Sequence, residues 1–529
     1  MLTQVFAAKC TGIDAELVTV EISMEKGIGL HLVGLADVAV KESLLRTTTA
    51  LQAIGCILPG KRIVINLAPA DIHKSGSGYD LPIAVGIIAA SQQRQLPLAG
   101  RYILMGELGL DGSVRGIPGA LPFAELAVKQ GMDGIILPRE SALEASELKR
   151  GTIYGVDTLA DVVRILSGED DCSDLLTDLS PRPVKPVYDY PDFADIVGQD
   201  GVKRGLEIAA AGGHNVAMVG PPGSGKSSLA KALVGILPPM CREESLQTAK
   251  IFSIAGKGKL RRGMAACRPF RAPHYSASLP AIIGGGAGDN IVPGEISLAH
   301  NGVLFLDEAA QMPRTVTEAL RGPLEDRRVV ISRLKSKVEY PSSFMLVLAS
   351  NPCPCGYWGD GDRCICTPTQ RLNYISRLSG PIMDRIDLQL NVPSISASQM
   401  MTLRQREPAS VESSAAVARR VEAARAIQSL RFTGEDIFVN AEMNNKQVAK
   451  YCKLDDAGQE TLIKLMDSLK LSMRAYYRII KVARTIADLK SAGTLDAGDR
   501  DALVAAVNAP VCPEHLAEAC SYRFLDRIP

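Results

Sequence analysis

Over residues 1–168 short β-rich runs (LVTVEI, KRIVINL, RYILMGEL, GIILP) alternate with segments whose apolar positions recur at helical spacing (VAVKESLLRTTTALQAIG, DLPIAVGIIAASQQ, ALPFAELAVKQG). That rhythm predicts an α/β or α+β domain. A polar, acidic and then proline-rich stretch, GEDDCSDLLTDLSPRPVKPVYDYPDF, reads as an exposed linker over residues 169–193. A second domain, 194–395, opens with a helix (GVKRGLEIAAAG), an apolar strand (HNVAMVG), a glycine loop and a helix starting near Lys226. GVLFLDEA and SFMLVLASNP add buried strands, which predicts a parallel sheet. From 396 to 529 the pattern is helical, most clearly in SAAVARRVEAARAIQSLR and KLSMRAYYRIIKVARTIADLKSA.

Composition narrows the class. A chain of 529 residues exceeds one ordinary core, so two or three domains are expected. With 46% hydrophobic and 22% charged residues it reads as globular, and no apolar run reaches the roughly 18 residues of a membrane span. MLTQVFAAKCTGIDAE has neither a basic n-region nor a long apolar h-region, so a cytoplasmic protein is expected. The net charge of +1 makes no general case for nucleic acid, so any such surface must be local.

The chemistry concentrates in VGPPGSGKSS. Gly220, Gly223, Gly225, Lys226 and Ser227 fit G-x-x-x-x-G-K-[ST] between strand and helix. Glycines let backbone N–H groups wrap phosphates at the positive helix end, with Lys226 on the β/γ-phosphates and Ser227 on Mg²⁺. Pro221, Pro222, Ser224 and Ser228 complete the loop. VLFLDE supplies the partner acids, Asp307 for the Mg²⁺ shell and Glu308 as the base for water, while Asn351, ending MLVLAS, is placed to orient that water. ATP hydrolysis with Mg²⁺ is therefore expected.

Together with SGPIMDRIDL and LSMRAYYRIIKVARTIADL, these motifs resemble an AAA+ ATPase of the magnesium-chelatase and MCM-like branch. The chain is similar over essentially its whole length to the ComM/YifB family. The resemblance implies an α/β multidomain fold: a Lon-protease-like α+β domain, an AAA+ P-loop domain with a parallel sheet, and a C-terminal helical lid. It implies a homo-hexameric ring in which Arg385 acts in trans as an arginine finger. Arg474 becomes the helical-lid sensor arginine, and Arg377 a weaker candidate acting in cis or in trans.

GELGLDGSVRGIPGALPFAELAVKQGMDGIILP and KSGSGYDLPIAVGIIAA resemble the proteolytic domain of Lon-type proteases. The nucleophile position of that family falls on Gly78 and the activating lysine on Pro118, so peptidase activity is not expected; Ser77 and Lys74 are one frame away or more. YDLPIA is closer to the corresponding domain of the RadA family. Ring assembly and DNA contact are its expected uses, with Lys61, Arg62, Lys74 and Arg115 as basic candidates, each read more readily as a solvated side chain.

Between Glu308 and Asn351, VVIS and KVEY read as two strands around a basic turn. By resemblance to the MCM-like branch, Arg333, Lys335 and Lys337 would face a central pore and track phosphates. The insertion GKGKLRRGMAACRPFRAPHYSASLPAIIGGGAGD interleaves Phe270, His274 and Tyr275 with Arg268 and Arg271, a combination suited to stacking on bases and holding phosphates. CPCGYWGDGDRCICTP holds Cys353, Cys355, Cys364 and Cys366, either a structural Zn²⁺ site or a set of reduced thiols. The arginines 419, 420, 425 and 431 recur along one helical stretch and read as a solvated face.

Two functions stay open. One is an ATP-driven DNA helicase promoting branch migration in homologous recombination or natural transformation. The other is a chelatase-type or MoxR-type ATPase that remodels a protein partner or assists metal insertion. The Lon-like domain weighs against the second, since the resemblance implies a chelatase ATPase subunit without that extension.

Overall fold

A computed structural model describes residues 2–35, 37–169, 171–180, 190–258, 267–286, 291–332, 337–359, 363–378, 380–396, 398–399, 401, 411–469, 471–493 and 500–527. The first unit contains strands β1 (Leu2–Thr11), β2 (Asp14–Glu25), β3 (Gly29–Val33), β4 (Arg62–Ala68), β5 (Tyr102–Leu104), β6 (Glu107–Leu108), β7 (Val114–Arg115), β8 (Gly134–Pro138) and β9 (Ile153–Val156). Its helices are α1 (Val38–Ala53), α2 (Asp80–Ser91), α3 (Ala120–Lys129), α4 (Arg139–Ala145) and α5 (Leu159–Ser167). Seven strands form one mixed sheet in the order β3-β4-β2-β1-β5-β8-β9, and β6 pairs with β7 apart from it.

Alternation in β2 sends Val18, Val20 and Ile22 into the core while Thr19 and Glu21 take the other face. Helix α2 is apolar nearly all round because it is buried nearly all round. A Cβ on Gly86 would stand 2.5 Å from Ile22 Cδ1, so glycine there permits helix and sheet to approach. The packing of this unit runs beyond residue 168: Cys172 and Leu175 join its core, and Leu176 bridges to Tyr154. The expected linker therefore starts too early, because its first apolar residues have a core to enter. Its residues 181–189 lie outside the described ones.

The second unit contains α6 (Asp200–Gly212), β10 (Val216–Val219), α7 (Lys226–Gly235), α8 (Arg242–Ile254), β11 (Phe270–Arg271), β12 (Gly284–Gly285), β13 (Val292–Pro293), β14 (Val303–Leu306), β15 (Arg328–Ser332), β16 (Lys337–Pro341), β17 (Met345–Ser350) and β18 (Leu388–Asn391). Five of these strands form a wholly parallel sheet, β11-β14-β17-β10-β18. Every side chain of β10, β14 and β17 is buried, as the near-continuous apolar runs require of strands covered on both faces. The helices Ser414–Arg431, Met473–Ala492 and Pro513–Ser521 share one core with β10, β18 and α6.

The expected solvated arginine face on Ser414–Arg431 is largely absent. Arg420 pairs with Glu207 and Glu412, Arg425 donates to the Ala210 oxygen, and Arg431 is buried against Asp488; Arg419 alone of the four is exposed. Arg420 and Arg425 thus face α6, and Arg431 faces the helix Met473–Ala492.

The two units meet along α3 and α8. Gly119 N–H donates to Ser253 O at 3.0 Å and Leu121 N–H to Ser253 Oγ at 3.2 Å, while Lys250 pairs with Glu125 in near-complete burial. The β1–β2 turn reaches further. Ile13 packs beside Ile251, Phe252 and Leu298, and the Gly12 Cα stands so close to Glu339 O on β16 that a Cβ would come within 2.9 Å.

Candidate functional site

Strand β10 ends at the loop Gly220–Gly225, and α7 begins at Lys226. Gly223 and Gly225 have φ of +76° and +91°, the left-handed region that favours glycine, and each Cα faces open space. Gly220 is excluded from carrying a side chain for another reason, since its Cβ would lie 2.1 Å from Val392 O. The Ser224 hydroxyl is buried in the loop with no hydrogen-bond partner among the described residues. Lys226 Nζ donates to Gly220 O at 2.7 Å, to Pro221 O at 2.8 Å and to Asn351 Oδ1 at 3.4 Å. Burial lowers its affinity for the proton, an effect that the nearby Asp307 and Glu308 oppose.

Ser227 Oγ donates to Asp307 Oδ2 at 3.0 Å, so the loop hydroxyl and the acid after β14 meet at one point. Glu308 adopts φ +50°, a left-handed conformation uncommon outside glycine, and its N–H donates to Asp307 Oδ1 at 2.9 Å. The described residues fit a nucleotide and its metal: an open glycine cradle, an orphaned hydroxyl, a buried ammonium and a hydroxyl–carboxylate pair of the kind Mg²⁺ takes. When bound, Mg²⁺ supplies charge neutralisation at the phosphates. Glu308 can then take a proton from water, with Asn351 as a hydrogen-bonding neighbour just past the end of β17.

A cavity of about 720 Å³, lined among others by Gly198, Gln199, Val202, Pro393 and Ile395, adjoins the loop through Val392. Gln199 Oε1 is buried there without a hydrogen-bond partner among the described residues, an acceptor suited to the amino group of adenine. The sequence reading missed this cavity, although the turn IVGQD ahead of α6 was its signal.

The expected arginines lie elsewhere. Strand β18 pairs with β10 from Val216↔Leu388 to Val219↔Asn391, so the residues before Leu388 are at the N-terminal edge of the sheet. The phosphate loop follows the C-terminal edge, four residues of strand or roughly 13 Å away. Arg385 is at that far edge, paired with Glu325. Arg474 is there too, paired with Asp384, so a lid arginine acting on its own chain's nucleotide does not match this placement. Arg377 is exposed three residues after Tyr374, whose buried phenol is pushed up in pKa by burial and lies near Ser350 and Glu308 on the nucleotide side.

An unpredicted residue, Asn215, organises the far edge. Its side chain donates to Arg385 O at 3.0 Å and accepts from Leu346 N at 2.8 Å, tying together the starts of β10, β17 and β18. Beside it, His214 contacts Asp387 at 3.3 Å and Thr485 at 2.8 Å, which connects the edge to the helix Met473–Ala492.

Several expected DNA contacts are committed internally. Arg268 pairs with Glu244 and donates to Pro238 O and Asn301 O, and Arg271 forms a two-pronged pair with Glu295. Phe270 stacks on Phe305 in the sheet. These side chains brace β11, the short edge strand, because an edge in a two-layered sheet needs such cover; Tyr275 remains exposed, tilted against His274. Lys74 is fully buried and donates to Pro69 O, so it cannot meet DNA, whereas Lys61, Arg62 and Arg115 are exposed. Hairpin β15–β16 forms as expected, closing at Ser332↔Lys337, with Lys337 exposed; Arg333 and Lys335 lie outside the described residues.

In the first unit Gly78 is enclosed by Met105, whose Cε would be 2.9 Å from a Cβ, and by Ile117. Ser77 contacts the Glu107 carboxylate instead of a lysine. The four thiols Cys353, Cys355, Cys364 and Cys366 do converge, with all four sulfurs within 4.8 Å of one another.

The sheet order, the glycine loop and the paired acids define a P-loop ATPase of the AAA+ type. A family model described as magnesium chelatase, subunit ChlI, matches residues 192–400; subunit ChlI of Mg-chelatase matches 20–141; and the ChlI C-terminal model matches 411–523. The protein named YifB of Salmonella typhimurium is 41% identical over 522 residues, covering 98% of this chain and 96% of its own length. Competence protein ComM of Haemophilus influenzae is 41% identical over 531 residues, covering 100% and 98%. An archaeal Lon protease of Methanocaldococcus jannaschii is 29% identical over 100 residues, 19% of this chain and 14% of that protein. The chain belongs to the ComM/YifB family of magnesium-chelatase-like AAA+ ATPases. Among the described residues no helix is long and apolar enough to cross a membrane.

Proposed function

We propose that the chain is an ATP-driven DNA motor, a homo-hexameric helicase promoting branch migration in homologous recombination or natural transformation. The observation carrying this reading is the position of Arg385 and Arg474 across the sheet from the phosphate loop. An arginine there reaches a nucleotide only on a neighbouring subunit, where it stabilises charge developing on the phosphoryl group and couples hydrolysis to ring motion. Gly220, Pro221, Pro222, Gly223, Ser224, Gly225, Lys226, Ser227 and Ser228 hold the nucleotide, Asp307 and Ser227 hold Mg²⁺, and Glu308 with Asn351 directs water. DNA is assigned to the hairpin β15–β16, whose basic turn offers sequence-indifferent phosphate contacts. The name of the Haemophilus relative supports a role with incoming DNA. Cys353, Cys355, Cys364 and Cys366 hold a structural Zn²⁺.

Peptidase activity has no place in this reading, given the apolar enclosure of Gly78 and proline at position 118.

The remodelling alternative keeps one specific support. A model named for the chelatase ATPase subunit matches residues 20–141, so the first domain no longer separates the two readings. Strand displacement on forked DNA decides between them. ATP-dependent unwinding that ceases with a non-hydrolysable analogue supports the motor, and intact forks beside active hydrolysis support the remodeller.

A further inference from the structure

The cysteine cluster lies against the nucleotide loop. Cys353 follows Asn351 by two residues, and Gly356 N–H donates to Cys353 O at 3.0 Å in a tight turn. At Gly356, φ is +86°, and a Cβ there would stand 2.8 Å from Pro222 Cδ and 2.9 Å from Pro222 Cγ. Pro222 belongs to the phosphate loop, so the turn between the second and third cysteines presses directly on the nucleotide cradle.

The sulfurs are arranged for a metal. Cys353 Sγ is 3.3 Å from Cys355 Sγ and 3.8 Å from Cys364 Sγ, and Cys355 Sγ is 3.7 Å from Cys364 Sγ. A disulfide needs about 2.05 Å, whereas tetrahedral Zn²⁺ with Zn–S bonds of about 2.3 Å separates its sulfurs by about 3.8 Å. Two of the four cysteines, Cys353 and Cys366, are buried, which shields such a centre on one side. The exit from the cluster is also fixed: Thr367 caps the helix Pro368–Ile375 with a capping box, and Arg371 of that helix lies over the Trp358 ring at 5.6 Å.

We infer that Zn²⁺ bound by Cys353, Cys355, Cys364 and Cys366 sets the shape of the phosphate loop through the Gly356–Pro222 contact, so that ATP affinity depends on the metal. The same centre holds Asn351, which shares a hydrogen bond with Lys226, at a fixed distance from the loop. Four thiolates leave no open coordination position, so the ion acts by holding the turn rather than by chemistry on substrate. Removal of the metal by a stronger ligand would therefore loosen nucleotide binding without touching a Walker residue. This inference rests on reading the glycine loop as the ATP site.

The test measures zinc content and the Kd of a fluorescent ATP analogue with Mg²⁺ present, in the full chain under reducing conditions. Wild type should carry one Zn²⁺ per four-cysteine cluster, and stripping it with a zinc-selective chelator should raise Kd about tenfold or more. Adding back Zn²⁺ should restore the original Kd, which separates the effect from irreversible unfolding. Gly356→Ala should retain zinc yet bind the analogue about tenfold more weakly, because it pushes on Pro222 from the same place. Cys355→Ser with Cys364→Ser should lose both zinc and tight binding. Equal Kd for zinc-loaded and zinc-free protein, wild-type Kd in Gly356→Ala, or a wild-type chain that takes up no zinc would each overturn the inference. Lys226→Ala serves as the separate check: wild-type affinity in that variant would sink the ATP-site reading, whereas lost affinity beside a zinc-independent Kd sinks the coupling alone.

Discussion

The side-chain amide of Asn215 donates to the main-chain oxygen of Arg385 at 3.0 Å, and this bond fixes the proposed trans arginine to the strand that feeds the phosphate loop. Because the same side chain accepts from Leu346 N, one residue registers the starts of three adjacent strands. The nucleotide loop and the arginine thus sit at opposite ends of one rigid unit.

Asn215→Ala should leave the Leu346 N–H without its partner and free the Arg385 backbone. The expected cost is about 2–3 kcal/mol in unfolding free energy, read from the shift of a urea transition. Hydrolysis should fall further than nucleotide affinity, since the cradle itself is untouched. Equal losses in both would show that Asn215 acts only as a structural bond.

His300 supplies a pH dependence. Its Nδ1 accepts from Ser343 N at 3.0 Å, and burial, aided by Arg268, holds its pKa down at about 4 from an ordinary 6.5 against the opposing charge of Glu244. A folded-state value below the unfolded one means that the unfolded chain binds the proton first. Stability is therefore full above pH 6.5 and is lost as pH falls from 6.5 toward 4. The ceiling is roughly 3 kcal/mol. Urea midpoints at pH 7 and pH 5 should differ in wild type, and the difference should shrink in His300→Gln.

Lys250 and Glu125 join the two units. Burial alone would raise the Glu125 pKa, but Lys250 and then Lys129 pull it below the usual carboxylate range. Lys250→Met should cost about 2–3 kcal/mol, softened by Lys129 at 3.2 Å, and should expose the α3–α8 seam to proteolysis. Adding Glu125→Leu should recover much of the loss, because the uncompensated buried charge is then gone. Continued instability in the double variant would assign the seam to Ser253 and the backbone bonds around Gly119 instead.

The sequence made the glycine loop, its strand and its acids legible because each carries a local signature: apolar runs, glycines at fixed spacing, adjacent carboxylates after a buried strand. The four cysteines were legible for the same reason. Arg268 and Arg271 misled because a basic, aromatic stretch looks alike whether its partners are phosphates or Glu244 and Glu295 at distant positions. Asn215 and Gln199 escaped notice because their roles come from strand register and from a cavity built by segments almost 200 residues apart. The edge on which Arg385 and Arg474 lie likewise follows only once β18 is paired with β10.

The first domain offers a negative test. A hydroxyl at position 78 would meet Met105 rather than a base, so neither wild type nor Gly78→Ser should cleave an unfolded protein substrate with ATP present. Cleavage by Gly78→Ser would mean that Ser77, Lys74 or another group can supply the missing activation.

The most direct test of the motor is the steady-state ATPase rate with and without single-stranded and forked DNA at two salt concentrations, with Glu308→Gln as the blank. DNA should stimulate hydrolysis, and the stimulation should weaken as salt rises, because the contacts assigned to the hairpin are to phosphates. A purified hexamer whose rate ignores every DNA form would contradict the account and leave the protein-remodelling ring as the reading to pursue.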